Sequence, residues 1–160
     1  MSAVFLSELL RLGGVEVRGE LDPALEAYRS AALTSGDPTY DAHAGRICLR
    51  LGRYEDAVGH LRRAVSRGDA EPEVYAGLGE ALRHRGALEQ AMAAYRNAAE
   101  SAPANAHYRA RLAECALALG RTNQAMREAE EAVRLAPDEP EFLALKARLL
   151  IELQRPLSAA

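Results

Sequence analysis

The chain repeats itself every 34 residues. The segment PEVYAGLGEALRHRGALEQAMAAYRNAAESAPAN, which starts at Pro72, aligns without a gap on the segment starting at Pro38 and on the one starting at Ala106. Gly52, Gly86 and Gly120 fall in register, as do Ala57, Ala91 and Ala125, and then Ala64, Ala98 and Ala132. Leu51 and Leu119 precede their glycines, and Pro103 and Pro137 close two of the units. A fixed period of this size means one supersecondary unit used several times, each too small to bury its own apolar face and relying on its neighbours to do so. A glycine at one place per unit suits a helix C′ position, where φ is positive. Each unit therefore reads helix, glycine turn, helix, loop. Asp37–Pro38 and Asp22–Pro23 each place an N-cap acceptor before a proline at the first helical position.

Composition narrows the fold further. Of the 160 residues 49% are hydrophobic and 27% charged, enough for a buried core in one ordinary domain and too apolar for low-complexity disorder. Aromatics are only 5% and Trp is absent, so the interior is packed mostly from Ala and Leu, which are strong helix formers. β-branched residues are thin, which argues against sheets. The net charge of −3 lacks the basic excess by which a general nucleic-acid binder displaces counterions. Cys48 and Cys115 stand far apart in no metal spacing and are expected to be buried, reduced thiols. The start, MSAVFLSELLRLGG, has no basic n-region, and Glu8 interrupts its apolar run, so it does not read as a secretory signal. No stretch approaches the length of a membrane span. A cytoplasmic protein is expected.

The units resemble the tetratricopeptide repeat. In the third unit Tyr75, Leu78, Gly79, Leu82, Ala91, Tyr95, Ala98 and Pro103 fall on its signature positions. The second matches through Ala44, Gly45, Ala57, Leu61 and Ala64, with Asp41 where the signature has a large residue. The fourth matches through Leu112, Ala113, Ala125, Ala129, Ala132 and Pro137. Residues 19–34 look like the second helix of a repeat, with Ala24, Tyr28 and Ala31 in place, whereas residues 2–12 fit a first helix poorly. The resemblance implies an all-α fold, a right-handed superhelical stack of antiparallel helix hairpins forming a single domain over residues 1–160. It comprises a degenerate first repeat at 1–37, repeats at 38–71, 72–105 and 106–139, and a terminal capping helix at 140–154. It also implies a non-catalytic protein–protein interaction module whose first helices line a concave groove.

By that resemblance the peptide-binding groove takes His43, Arg46 and Arg50 from the second unit, and Ala76, Glu80 and Arg83 from the third. The fourth gives Ala110, Arg111 and Glu114, and the last helix gives Arg148. Ala42, Ala76, Ala110 and Ala144 recur at one position, either as a floor of small side chains for an extended or helical peptide or as tight packing. The planar fork of Arg suits carboxylate recognition. The alternative is that Arg and Glu on adjacent helices hold each other in solvent.

Catalytic and metal chemistry find no footing in the sequence. His43, His60, His84 and His107 have no partner at a metal-ligand spacing. The glycines between 13 and 19 lack the Lys-Ser/Thr of a phosphate loop. No serine has a nucleophile-elbow context. Cys115 sits in an Ala-rich helical stretch that suits a structural thiol. No enzyme activity and no cofactor are therefore expected, and neither nucleic acid nor membrane insertion. The last helix, EFLALKARLLIELQ, is apolar on two stripes, one of Phe142, Leu145 and Leu149, the other of Leu143, Leu150 and Leu153. Val4, Phe5, Leu6, Leu9 and Leu10 make a similar surface near the start. Contiguous exposed apolar surface marks an interface. Two functions are thus expected as alternatives: capture of a protein or peptide of unknown identity in the groove, or a scaffold that self-associates through Leu143, Leu150 and Leu153.

Overall fold

The computed structural model describes residues 18–154. The apolar residues near the start and the glycines at 13 and 14 lie outside the described residues. Eight helices and no strand are present among the described residues. They are α1 (Arg18–Ser35), α2 (Pro38–Arg50), α3 (Tyr54–Ser66), α4 (Pro72–His84), α5 (Leu88–Ser101), α6 (Ala106–Ala118), α7 (Thr122–Leu135) and α8 (Pro140–Gln154). Helices α2–α3, α4–α5 and α6–α7 form hairpins. The chain divides into two compact units, the first ending at Ala70 and the second beginning at Glu71.

Local chemistry sets the helix ends. The Asp37 carboxylate accepts from the Thr39 backbone N–H at 2.9 Å and from its hydroxyl at 2.7 Å, which caps α2 and holds the Asp37 carboxyl below its usual range. Asn105 caps α6 in the same way, accepting from the His107 N–H at 3.1 Å. At the other end of each first helix the glycines turn the chain with φ of +71° at Gly52, +77° at Gly86 and +73° at Gly120. The residue after each glycine donates back across the turn, Arg53 to Cys48, Ala87 to Leu82 and Arg121 to Ala116, at 2.8 to 2.9 Å. This is the 6→1 bond of a Schellman cap. A Cβ on any of these glycines would meet nothing within 4 Å, so the positive φ alone selects glycine.

One expected cap does not form. Helix α1 runs from Arg18 straight through Pro23, so Asp22 is not an N-cap. Pro23 forfeits only the bond to the Gly19 carbonyl, at an exposed helix start where the loss is mild. Asp22 pairs instead with Arg53, at 3.1 Å. The second unit holds a similar pair two periods on, with Arg121 gripping the Glu89 carboxylate through both terminal nitrogens. Both pairs are solvent-exposed and worth less than about 1 kcal/mol each.

Each hairpin closes on a small residue. An added Cβ on Gly45 would come within 2.5 Å of the Leu61 Cγ, and one on Gly79 within 3.0 Å of the Tyr95 ring. Glycine inside a helix costs roughly 1 kcal/mol against alanine. Here the cost is outweighed, because Leu61 and Tyr95 fill the space a side chain would take, and both are buried. The equivalent residues of the third hairpin are Ala113 and Ala129, both fully buried. Leu25, Tyr28, Ile47 and Leu61 anchor the core of the first unit, and Leu82, Tyr95, Leu112, Phe142 and Leu149 that of the second.

Candidate functional site

In the first unit a ring cluster forms where α1 meets α2. Tyr28 stacks on His43 with centroids 5.0 Å apart and lies 6.3 Å from Tyr40. Burial pushes the Tyr28 phenol up and the His43 imidazole down from its ordinary 6.5, so His43 is neutral at pH 7. Arg46, one turn along, is exposed and has no hydrogen bond or ion pair with another described residue. Arg50 is exposed but not free.

Beneath this face lies a group that spacing alone does not reveal. Asp41 is 1% exposed and carries three cationic or donor partners. His60 Nδ1 lies 2.9 Å from Oδ1, Arg63 Nε 3.2 Å from Oδ1, and Arg67 Nη1 3.0 Å from Oδ2. The same His60 Nδ1 also lies 2.7 Å from Arg63 Nη2, so it faces an acceptor and a donor at once. Arg67 also reaches the Ala32 carbonyl in the last turn of α1, at 3.5 Å, so the network ties three helices together. Both oxygens of the buried carboxylate thereby have a partner. The residues equivalent to Asp41 and His60 are Tyr75 and Ala94 in the next hairpin, and Arg109 and Glu128 in the one after, paired at 3.0 Å. The signature position thus holds an acid, an aromatic ring and a base in turn. The sign that could have exposed the network is that the facing residue changes with it.

In the second unit the expected groove residues divide by whether they are already engaged. Arg111 donates to Glu114 at 2.8 Å and lies 3.7 Å from Glu141 on α8. Arg83 is half-buried beside Tyr95, whose phenol burial pushes up to about 12 while the guanidinium pulls the other way. The Arg83 Nε is buried without a partner. Glu80 and Arg148 are exposed and have no hydrogen bond or ion pair with another described residue. Ala76 is half-buried, whereas Ala110 is 3% exposed and serves packing rather than a floor open to a ligand.

Cys48 and Cys115 are buried, and burial pushes both thiols up to about 11, so they are protonated and unreactive at neutral pH. Among the described residues no group of three or more His, Cys, Asp or Glu side chains is placed to hold a metal ion. No described helix is long and apolar enough to cross a membrane.

On α8 the two apolar stripes separate cleanly. Phe142, Leu145 and Leu149 are buried, while Leu143, Leu150 and Leu153 are 43 to 46% exposed, joined by Ile151. Leu150 is equivalent to Cys48, Leu82 and Ala116, all buried within their hairpins. The exposed stripe is therefore the face that a first helix elsewhere in the chain turns toward its second helix.

Fold and surface together define an all-α protein of helix hairpins repeated at 34 residues, with charged side chains on the first helices. The chain belongs to the tetratricopeptide repeat family, whose models match residues 44–106 and 82–149. Among solved structures it is similar to YrrB, described as a tetratricopeptide repeat protein with an unusual peptide-binding site. That match has 19% identity and a TM-score of 0.80 over 94% of this chain and 74% of that one. MamA matches at 16% identity and a TM-score of 0.73, over 88% and 96% of the two chains. The second tetratricopeptide domain of human RPAP3, solved with an HSP70 peptide, matches at 20% identity and 0.66, over 71% and 98%. At these identities the likeness is one of fold. No curated protein sequence matches the chain.

Proposed function

We propose that the chain is a non-catalytic interaction module that binds a peptide or protein segment along its first helices. The observation that carries this reading is the set of exposed charged side chains on those helices that form no hydrogen bond or ion pair among the described residues: Arg46 in the first unit, Glu80 and Arg148 in the second. An exposed charge held on a rigid helix and not spent on a neighbour is preorganised for a partner, which lowers the ordering cost of binding. Support also comes from the relatives of like fold, since two of the RPAP3 structures carry a bound chaperone peptide. Arg83, Arg111 and Glu114 act in this reading as a braced surround rather than as primary contacts.

The test is capture of a partner, its identification by mass spectrometry, and titration of the identified segment. Arg46→Glu and Arg148→Glu are expected to weaken binding at least tenfold with the helical circular dichroism unchanged. Unchanged affinity in both variants overturns the reading.

A second reading is carried by α8. Its exposed stripe of Leu143, Leu150, Ile151 and Leu153 supports an assembly subunit that associates through this helix. Light scattering of Leu150→Glu separates the two. Self-association lost on this change, with the arginine variants silent, selects assembly; a monomeric wild type that Leu150→Glu leaves equally soluble removes it.

A further inference from the structure

The second unit contains a cleft of about 560 Å³ where the loop between α5 and α6 faces the loop between α7 and α8. Its walls are alkyl and aromatic: Pro103, Ala106, Leu135 and Phe142, with the His107 ring set edge-on to Phe142 at 5.1 Å. One ionised side chain lines it. The Glu139 carboxylate is half-buried and has no hydrogen bond or ion pair with another described residue.

We infer that this cleft is a subsite for a basic side chain, lysine or arginine, of the bound segment. The chemistry follows from the lining. An alkyl stem fits walls of alanine, proline and leucine, and such stems bury readily while the charged head seeks a counter-ion. Glu139 supplies that counter-ion, and the exposed His107 ring offers an aromatic edge at the mouth.

The competing influence is the two helix starts that border the cleft. Each carries about half a positive charge, which favours an anion. At α8 this is met by Glu141 in the first turn, which also lies 3.7 Å from Arg111, and at α6 by the Asn105 side chain on the His107 N–H. The full and unspent charge of Glu139 then decides the sign. Glu139 is also the residue before Pro140, and its backbone carbonyl accepts from Phe142 and Leu143, so α8 fixes the backbone from which the carboxylate extends. This inference rests on the peptide-binding reading above and adds to it a residue class and a place.

The experiment is a nuclear magnetic resonance titration of the full chain with N-acetyl-lysine amide, N-acetyl-norleucine amide and N-acetyl-glutamate amide. A ligand of this size is expected to bind in about the millimolar range. The expected result is saturable shifts at Ala104, Ala106, Ala136 and Glu139, with the lysine amide about two- to fivefold tighter than the uncharged norleucine amide, as one partly exposed charge pair provides. Glu139→Gln, which keeps size and helix start, is expected to erase that preference. Equal affinity for lysine and norleucine amides, tighter binding of the glutamate amide, shifts mapping elsewhere, or a lysine preference that survives Glu139→Gln each overturns the inference. A partner segment that binds Glu139→Gln as it binds wild type sinks this subsite and leaves the interaction reading standing. Loss of binding in the Arg46 and Arg148 variants is read independently.

Discussion

Hairpins α2–α3 and α4–α5 share a period, a glycine turn and a glycine under a large residue, yet they close in opposite ways. In α4–α5 the signature position holds Tyr75, and the residue equivalent to His60 is Ala94. In α2–α3 the same position holds a carboxylate 1% exposed, balanced by His60, Arg63 and Arg67. The lesson is that the hairpin is specified by its close contacts and its turn. The large position is a plug whose chemistry is free, provided the second helix answers it.

The largest expected effect breaks the polar plug. Asp41→Ala is predicted to destabilise the first unit by about 3 kcal/mol, the low end for a broken buried ion pair because Arg63 and Arg67 can turn toward water. Asp41→Tyr combined with His60→Ala, which installs the chemistry of the neighbouring hairpin, is predicted to fall within about 1 kcal/mol of wild type. Urea unfolding followed by circular dichroism measures both. A double variant as unstable as Asp41→Ala would show that the plug is not interchangeable.

Next in size is the close contact common to the hairpins. Gly79→Ala gains about 1 kcal/mol in helix propensity. It forces a methyl against a rigid ring, which costs about 1 to 3 kcal/mol, so net destabilisation is expected. Gly45→Ala should cost more, because its methyl would sit 2.5 Å from the Leu61 Cγ, the branch carbon of a fully buried side chain, against 3.0 Å from the Tyr95 ring. Thermal unfolding of the pair ranks them, and a stabilised Gly79→Ala would deny that the ring fixes the glycine.

The smallest effect distinguishes the units by pH. Burial lowers the His43 pKa in the folded chain below the ordinary 6.5. The unfolded state then binds the proton more readily, so stability is present above that value and falls as pH drops through it. Hydrogen exchange of α1 and α2, corrected for the intrinsic rate, should show this loss as the pH falls through and below the ordinary histidine range. His43→Phe keeps the stack on Tyr28 and should flatten the profile.

Much of the fold was legible because it is dictated locally. The 34-residue register, the glycines with positive φ and the Asp37 cap each follow from one residue and its immediate neighbours. The two stripes of α8 were legible from spacing, and Phe142, Leu145 and Leu149 are the buried ones. Pro23 misled, because an Asp-Pro step signals a helix start only when nothing before it has reason to be helical. Leu21 is buried and draws the preceding turn into α1. The Asp41–His60 pair escaped notice because its members are 19 residues apart on two helices. It is visible only when the hairpins are read side by side. The charges of the first helices were placed by register, but which of them are engaged depends on rotamers that only the packed neighbours select. Arg111 found Glu114 and Glu141, while Arg46 and Arg148 form no hydrogen bond or ion pair with another described residue.

The two cysteines have a practical consequence. One lies in each compact unit, both almost wholly buried and with thiols raised to about 11. A thiol so placed is alkylated only when its own helices part, so its labelling rate under native conditions counts openings rather than surface. Cys48 clocks the hairpin with the ionic plug and Cys115 clocks the second unit. Single-cysteine versions of the chain would therefore report two local opening free energies from one protein, with no probe added to either unit.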